Sequence, residues 1–323
     1  MADSSAELER IRRLAVQFGR LADGAANGAR SVVRGIGDDA AILRPGTHDL
    51  VWTVDAQVEG VHFRRDWLTL EDLGWRSFVA AASDLFAMGA EPWCALSSLA
   101  LPPDFADAAL DALTRGQAAA AVEACCPIVG GNLSRAGELS VTTTLLGTAE
   151  RPVRRDSAEV GDGVYLAGQV GLAGLGLRAL EKGLSGLDVL GAIGAFLRPV
   201  LRVAEGRVIG ELAHAAIDIS DGLVQDAGHV ALASAVAIVL EEAALVEHAD
   251  EATKSAAEAL GLTATLRDLL LHGGEDYALL ATSKEPLPGF TWVGVVEAGG
   301  GTWLRGADGA QRPLAPRGYD HFA

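Results

Sequence analysis

Aspartates set at the ends of apolar segments are the residues of this sequence best placed to do chemistry. Gly35-Ile36-Gly37-Asp38-Asp39 puts two adjacent carboxylates behind a glycine turn and ahead of a short apolar run. Neighbours on an extended segment face opposite sides, so one of the pair can meet a ligand while the other meets a turn or core. Asp55 closes the apolar run of residues 50–54, and Asp84 interrupts the apolar face of a helical pattern between Ser83 and Leu85. In Asp218-Ile219-Ser220-Asp221-Gly222, Asp218 and Ser220 share a strand face while Asp221-Gly222 opens a helix. A helix N-terminus offers unpaired N–H groups and a positive dipole end, which suits a phosphate; a simple N-cap is the plainer use. Aspartate is disfavoured inside strands, and a carboxylate in an apolar helix face is costly unless paired or bound to a cation. Oxygen donors with no cysteine among them favour magnesium over zinc.

Other chemistries fit less well. There is no Gly-x4-Gly-Lys-Ser/Thr loop and no kinase glycine loop followed by lysine. Residues 168–176 are glycine-rich but lack that lysine, a weak phosphate cradle at best. Ser220 and His62 have no nucleophile elbow around them, and His62 in its loop is a structural residue or a substrate contact. Acids outnumber bases 43 to 26, and the net charge of −17 disfavours nucleic acid and anionic membranes as partners. Cys94, Cys125 and Cys126 give neither a disulfide framework nor a metal knuckle and read as buried thiols of a reducing compartment. The charged opening (Asp3, Glu7, Glu9, Arg10) does not read as a signal peptide, and the apolar run 230–240 is short of a membrane span. A cytoplasmic location is expected.

The elements that must position these residues follow from periodicity. Helices are predicted over 7–18, 71–88, 104–126 and 199–214, with two short ones in 250–271. Strands are predicted over 50–55, 93–101, 139–147, 164–167, 216–220 and 277–282, with 292–297 as the last. At 323 residues two domains are expected, with the boundary in the polar segment 151–163: residues 1–150, interleaving strands and helices, and residues 151–323.

Taken together, the motifs carry a resemblance. They are Gly35-Ile36-Gly37-Asp38-Asp39, Val58-Glu59-Gly60-Val61-His62-Phe63, Ser83-Asp84-Leu85-Phe86-Ala87-Met88-Gly89, Arg198-Pro199 with Arg202, Asp218-Ile219-Ser220-Asp221-Gly222, Gly273-Gly274-Glu275-Asp276-Tyr277 and Gly318-Tyr319-Asp320-His321-Phe322. In this order, over nearly the whole chain, they resemble the thiamine-monophosphate kinase family. The resemblance implies the two-domain fold of aminoimidazole ribonucleotide synthetase: an α/β N-terminal domain that binds ATP and magnesium and dimerises through its sheet, then an α+β domain. It implies ATP-dependent phosphorylation of thiamine monophosphate by a homodimer. The implied magnesium ligands are Asp39, Thr53, Val54, Asp55, Asp84, Asn132 and Asp218, with Asp221 on a further ion. Gly131, Asn132, Arg155 and Ser220 fall on ATP; His62, Glu275 and Tyr319 fall on the thiamine phosphate. No general base is expected, because a phosphate-monoester oxygen is largely ionised at neutral pH.

Two positions depart from the family pattern. Asn132 stands where the family has Asp, and Val54 where it has Thr; the first removes a charge and the second a hydroxyl. The competing expectations are therefore a non-catalytic or weakened relative that still binds nucleotide, and another ATP-dependent enzyme of the same fold. The hydrogenase-maturation branch has a C-terminal cysteine and the selenophosphate branch an early reactive one; this sequence shows neither.

Overall fold

The computed structural model describes residues 26–27, 30–34, 42–44, 46–315 and 317. The expected helix over 7–18, Asp38, Asp39 and Tyr319 lie outside them. The chain divides into two compact units: unit 1 within residues 1–85 and 91–151, and unit 2 within 86–90 and 152–323.

Unit 1 begins with three short strands, β1 (Ala26–Asn27), β2 (Arg30–Arg34) and β3 (Ile42–Arg44), paired in that order. Its main sheet comprises β4 (Asp49–Val58), β5 (Glu91–Leu101), β6 (Ile128–Arg135) and β7 (Ser140–Ala149), ordered β4-β7-β5-β6. Only β5 and β6 run parallel. Helices α1 (Leu70–Ala87) and α2 (Asp107–Glu123) cover one face. The start of α1 is set by Thr69, whose hydroxyl accepts the Asp72 N–H at 3.1 Å and donates to the Asp72 carboxylate at 2.7 Å. Such a cap is worth about 1 kcal/mol. The helices touch at glycines: a Cβ on Gly74 would lie 1.9 Å from the Leu113 carbonyl oxygen, and one on Gly116 would lie 1.9 Å from that of Glu71. Phe63, Leu73, Leu99, Leu110, Leu113 and Leu139 form the apolar core beneath.

Alternation along β4 decides which side chains meet the helices. Val51, Thr53, Asp55 and Gln57 turn inward, whereas Leu50, Trp52 and Val54 turn outward and are 51%, 72% and 63% exposed.

Unit 2 is built on a seven-stranded sheet. Its strands are β8 (Gly163–Ala167), β9 (Ala215–Ile219), β10 (Val236–Glu241), β11 (Ala278–Ser283), β12 (Thr291–Ala298), β13 (Gly301–Arg305) and β14 (Gln311–Leu314). Their order is β14-β13-β10-β12-β8-β11-β9, so β9 with Asp218 is an edge strand. Helices α3 (Leu172–Glu181), α4 (Leu187–Leu197), α5 (Val203–Leu212), α6 (Leu223–Ser234), α7 (Glu242–His248), α8 (Glu251–Ala259) and α9 (Leu266–His272) complete it. The expected α/β and α+β mixture is present. Three details differ from the sequence reading. The apolar run 230–240 is the end of α6 and most of β10, joined at Ala235 in a left-handed conformation (φ 55°). Residues 291–298 are followed by two further strands. Cys94 and Cys126 are buried, but Cys125 is exposed. Among the described residues no helix is long and apolar enough to cross a membrane.

Candidate functional site

In unit 1 the inward face of β4 meets α1 at two polar points, Thr53 with Asp84 and Gln57 with Arg76. The Thr53 hydroxyl donates to the Asp84 carboxylate at 2.5 Å, joining residues 31 positions apart. Asp55, two residues further along the same strand face, is half-buried beside them. Across the ladder Asp55 faces Thr143 on β7, Thr143 faces Ser97 on β5, and Ser97 faces Gly131 on β6. Beneath this row lies a buried neutral network. Gln117 accepts from the Ser97 hydroxyl at 3.0 Å, and its amide nitrogen reaches the Ser77 and Thr143 hydroxyls, each at 3.4 Å. The wholly buried Arg76 donates from Nε to Gln57 at 3.3 Å. A small set of oxygen donors on a fixed, pre-hydrogen-bonded floor is what a hard cation requires, and the donor chemistry fits magnesium.

The other unit 1 candidates are placed differently. The Val54 side chain lies on the opposite face from Thr53 and Asp55, so only its backbone carbonyl is available as a ligand and the missing hydroxyl takes nothing from the inward cluster. Asn132 is exposed on edge strand β6, opposite Ser98. Three inter-strand spacings of about 4.8 Å separate it from β4, so its backbone is roughly 14 Å from that of the Asp55 strand. With magnesium–oxygen bonds of about 2.1 Å, one ion does not span that gap. Gly131 is forced by packing, since a Cβ there would lie 1.8 Å from the Ser97 carbonyl oxygen. His62 accepts the Val58 N–H on Nδ1 at 3.1 Å, which leaves Nε2 to carry the proton of a neutral ring. Its loop is stapled by Glu59, which pairs with Arg65 at 2.6 Å.

In unit 2, β9 delivers a buried Asp218 and then turns sharply into α6 at Gly222 (φ 121°). The N–H groups of Ser220, Asp221 and Gly222 all donate to one oxygen of Asp226, at 3.1, 3.2 and 3.1 Å. The cap of this turn is therefore Asp226, from inside the helix; Asp221 instead accepts from the Gln225 amide at 3.1 Å. Burial, and then the Asp221 carboxylate, push the Asp226 carboxyl up to about 7, with the three N–H donors pulling the other way. The carbonyl side of the turn is also occupied: Glu275 N–H donates to Ser220 at 2.7 Å and Tyr277 N–H to Ile219 at 2.9 Å. Glu275 (φ 68°) and Tyr277 (φ 47°) both hold left-handed conformations, and the Tyr277 hydroxyl donates to the Glu275 carboxylate at 2.9 Å. Non-glycine residues in that region store about 1–3 kcal/mol each.

Between them, Asp276 reaches the other way. Its two oxygens accept the N–H groups of Gly171 at 2.6 Å and Ala173 at 2.9 Å, at the start of α3. Burial pushes its carboxyl up to about 7 against those donors. The glycine-rich segment 168–176 is therefore no phosphate cradle: a carboxylate of the same chain sits at its helix N-terminus. The same holds at the start of α6. Arg155 lies in a short 3-10 turn, Arg155–Ser157, with an exposed side chain and a carbonyl that accepts from Ser234 at 2.7 Å.

Asp226 and Asp276 escaped the sequence reading although both lie inside the motifs or next to them. An acid in the first turn of α6 was a usable signal for Asp226. No local signal marks Asp276, whose partners are 105 and 103 residues away.

Fold and site thus describe an aminoimidazole ribonucleotide synthetase-like protein with oxygen-donor clusters on two units. Residues 37–149 match the family model for the N-terminal domain of AIR synthase related proteins. The chain is 36% identical over 294 residues to the thiamine-monophosphate kinase of Aquifex aeolicus, covering 89% of this chain and 92% of that protein. It is 33% identical to the thiamine-monophosphate kinase of Escherichia coli K12, covering 90% and 92%. The solved structure of AaThiL complexed with AMPPCP and TMP superposes with a TM-score of 0.79 at 35% identity, over 89% of this chain and 92% of that one. The chain belongs to the thiamine-monophosphate kinase family.

Proposed function

We propose that this chain transfers the γ-phosphoryl group of ATP to thiamine monophosphate, yielding thiamine diphosphate and ADP. The observation that carries this reading is the 36% identity to a thiamine-monophosphate kinase across 89% of the chain. The residues agree with it. The acceptor oxygen of a phosphate monoester already bears negative charge, so the new P–O bond forms without a base. The electrons of the broken β,γ-bridge leave with ADP, and the task is alignment and charge neutralisation. Asp39, Thr53, Asp55 and Asp84 in unit 1, with Asp218 and Asp221 in unit 2, are the side chains that would hold magnesium. Val54 offers a carbonyl and Asn132 an amide oxygen. Bound magnesium neutralises and aligns phosphate oxygens, as a chain of net charge −17 requires to accept two anions. Gly131, Asn132, Arg155 and Ser220 bind ATP; His62, Glu275 and Tyr319 bind thiamine monophosphate.

The reaction is assigned to the cytoplasm and to a homodimer. Leu50, Trp52 and Val54 give the outer face of β4 an apolar surface that a second copy would cover. Sedimentation of Trp52→Lys tests this: a wild-type dimer that becomes monomeric supports it, and a monomeric wild type overturns it.

The activity is tested with ATP, magnesium and thiamine monophosphate. The expected result is thiamine diphosphate and ADP in equal amounts, abolished by chelation. Saturable AMPPCP binding without product would instead favour the non-catalytic reading that Asn132 motivates.

A further inference from the structure

We propose that Asp226 is the positioning residue for the Asp218–Asp221 turn of unit 2, a role that rests on the assignment of that turn to magnesium and nucleotide. Three consecutive backbone N–H groups converge on a single Asp226 oxygen, within 3.1–3.2 Å. Three donors on one atom fix three successive peptide planes, and so fix the directions in which the Ser220 and Asp221 side chains leave the backbone. The opposite side of the same turn is closed by the Glu275 N–H on the Ser220 carbonyl, and by Gly274, where a Cβ would lie 2.5 Å from that oxygen. Gly222 completes the clamp, packed so that a Cβ would lie 3.0 Å from the His272 backbone. With these three N–H groups and the Ser220 carbonyl taken, the backbone of the turn is held from both sides while the Asp221 side chain stays half-exposed.

An ordinary helix cap stabilises its helix and does nothing else. Unit 2 contains such a cap for comparison: Asp250 at the start of α8 accepts from the Thr253 N–H and hydroxyl, each at 2.8 Å, and touches none of the ligand candidates. Asp226 differs because two of its three donors, the N–H groups of Ser220 and Asp221, belong to residues assigned to the site. Groups that orient metal ligands in this way commonly govern affinity by roughly 10- to 100-fold.

The experiment measures Mn2+ binding to the full-length protein with AMPPCP present and no turnover, together with melting temperature and steady-state kinetics. Asp226→Asn keeps the shape but loses the charge and brings an unwanted donor among donors. It is expected to weaken Mn2+ binding roughly 10- to 100-fold and raise KM for magnesium-ATP, leaving KM for thiamine monophosphate near wild type. Asp250→Ala is expected to lower the melting temperature without moving Mn2+ affinity. Should Asp226→Asn not fold, Asp226→Glu retains the charge on a longer arm, and weaker Mn2+ binding at wild-type melting temperature is the supporting result. Wild-type Mn2+ affinity in the folded variant, or a change no larger than that of Asp250→Ala, overturns the positioning role alone. Failure of the wild-type protein to bind Mn2+ overturns the metal assignment beneath it as well.

Discussion

The two units support their candidate ligands by opposite electrostatic means. Beneath Thr53, Asp55 and Asp84 lie amides and hydroxyls, those of Gln57, Ser77, Ser97, Gln117 and Thr143, with Arg76 buried among them. Behind Ser220, Asp221 and Glu275 lie two buried carboxylates, Asp226 and Asp276, each collecting backbone N–H groups at the start of a helix. Amides, hydroxyls and a guanidinium do not titrate near neutrality, whereas both unit 2 carboxyls are pushed up to about 7 by burial. The second design also has a consequence for recognition. A helix N-terminus filled by the chain's own carboxylate is closed to a phosphate, so on the proposed function α3 and α6 would leave phosphate binding to side chains and to cations.

The largest effect is expected at the proposed ligands. Asp84→Asn keeps an acceptor for the Thr53 hydroxyl but removes the charge. Activity should fall at least about a hundredfold, equivalent to roughly 2.7 kcal/mol of transition-state stabilisation. Melting temperature should move far less than activity, because the Gln117 bonds to Ser77, Ser97 and Thr143 are kept. Loss of activity that tracks loss of fold would show that Asp84 serves the scaffold.

Next comes the pH contrast. An Asp276 carboxyl raised from 3.8 to about 7 keeps its proton when folded after the unfolded chain has lost it. Stability contributed by this group therefore falls as pH rises between those values and is level above them, at up to roughly 1.4 kcal/mol per pH unit. Asp276→Asn removes this dependence. Urea melts of wild type and variant at pH 5, 6, 7 and 8 should show their difference shifting in the variant's favour up to about pH 7. A constant difference would mean Asp276 is ionised in both states across that range.

Gln117→Leu probes the other scaffold. It strips Ser97 and Thr143 of a buried partner, at a cost of about 1–3 kcal/mol. The loss should be the same at pH 5 and pH 8 by the same urea melts. A pH-dependent loss would erase the distinction between the units.

These supports also mark where the sequence was legible and where it was not. The apolar run 50–54 ending on Asp55, the helical periodicity of 71–88 and the strand pattern of 93–101 are local, and β4, α1 and β5 formed on them. The 2.5 Å meeting of Thr53 with Asp84 needed the resemblance to suggest it, since nothing in either segment names the other. Asp276 shows the limit most clearly. Read locally, glycines 168–176 open a helix with unpaired N–H groups, and the residue that fills it is over a hundred positions away. The division of the run 230–240 into helix and strand was hidden for another reason: a continuous apolar stretch has no period, and the break rests on one left-handed alanine.

The smallest expected effect, at Asn132, tests whether the inward cluster of unit 1 is self-contained. Asn132 is exposed on β6, and by the strand spacing its backbone stands roughly 14 Å from that of the Asp55 strand. Restoring a carboxylate with Asn132→Asp should change stability by no more than about 0.5 kcal/mol, as for other exposed positions. It should tighten Mn2+ binding in the presence of AMPPCP only a few-fold, about 1 kcal/mol or less at 0.59 kcal/mol per natural-log unit. Because Asn132 stands roughly 14 Å from the strand whose Thr53 bonds Asp84, Asn132→Asp and Asp84→Asn should combine additively to within about 0.5 kcal/mol. Additivity would make Asn132 an independent, charge-depleted contact. A coupling well above that value would join it to the Thr53–Asp84 point through the bound ions and nucleotide, making unit 1 one extended site.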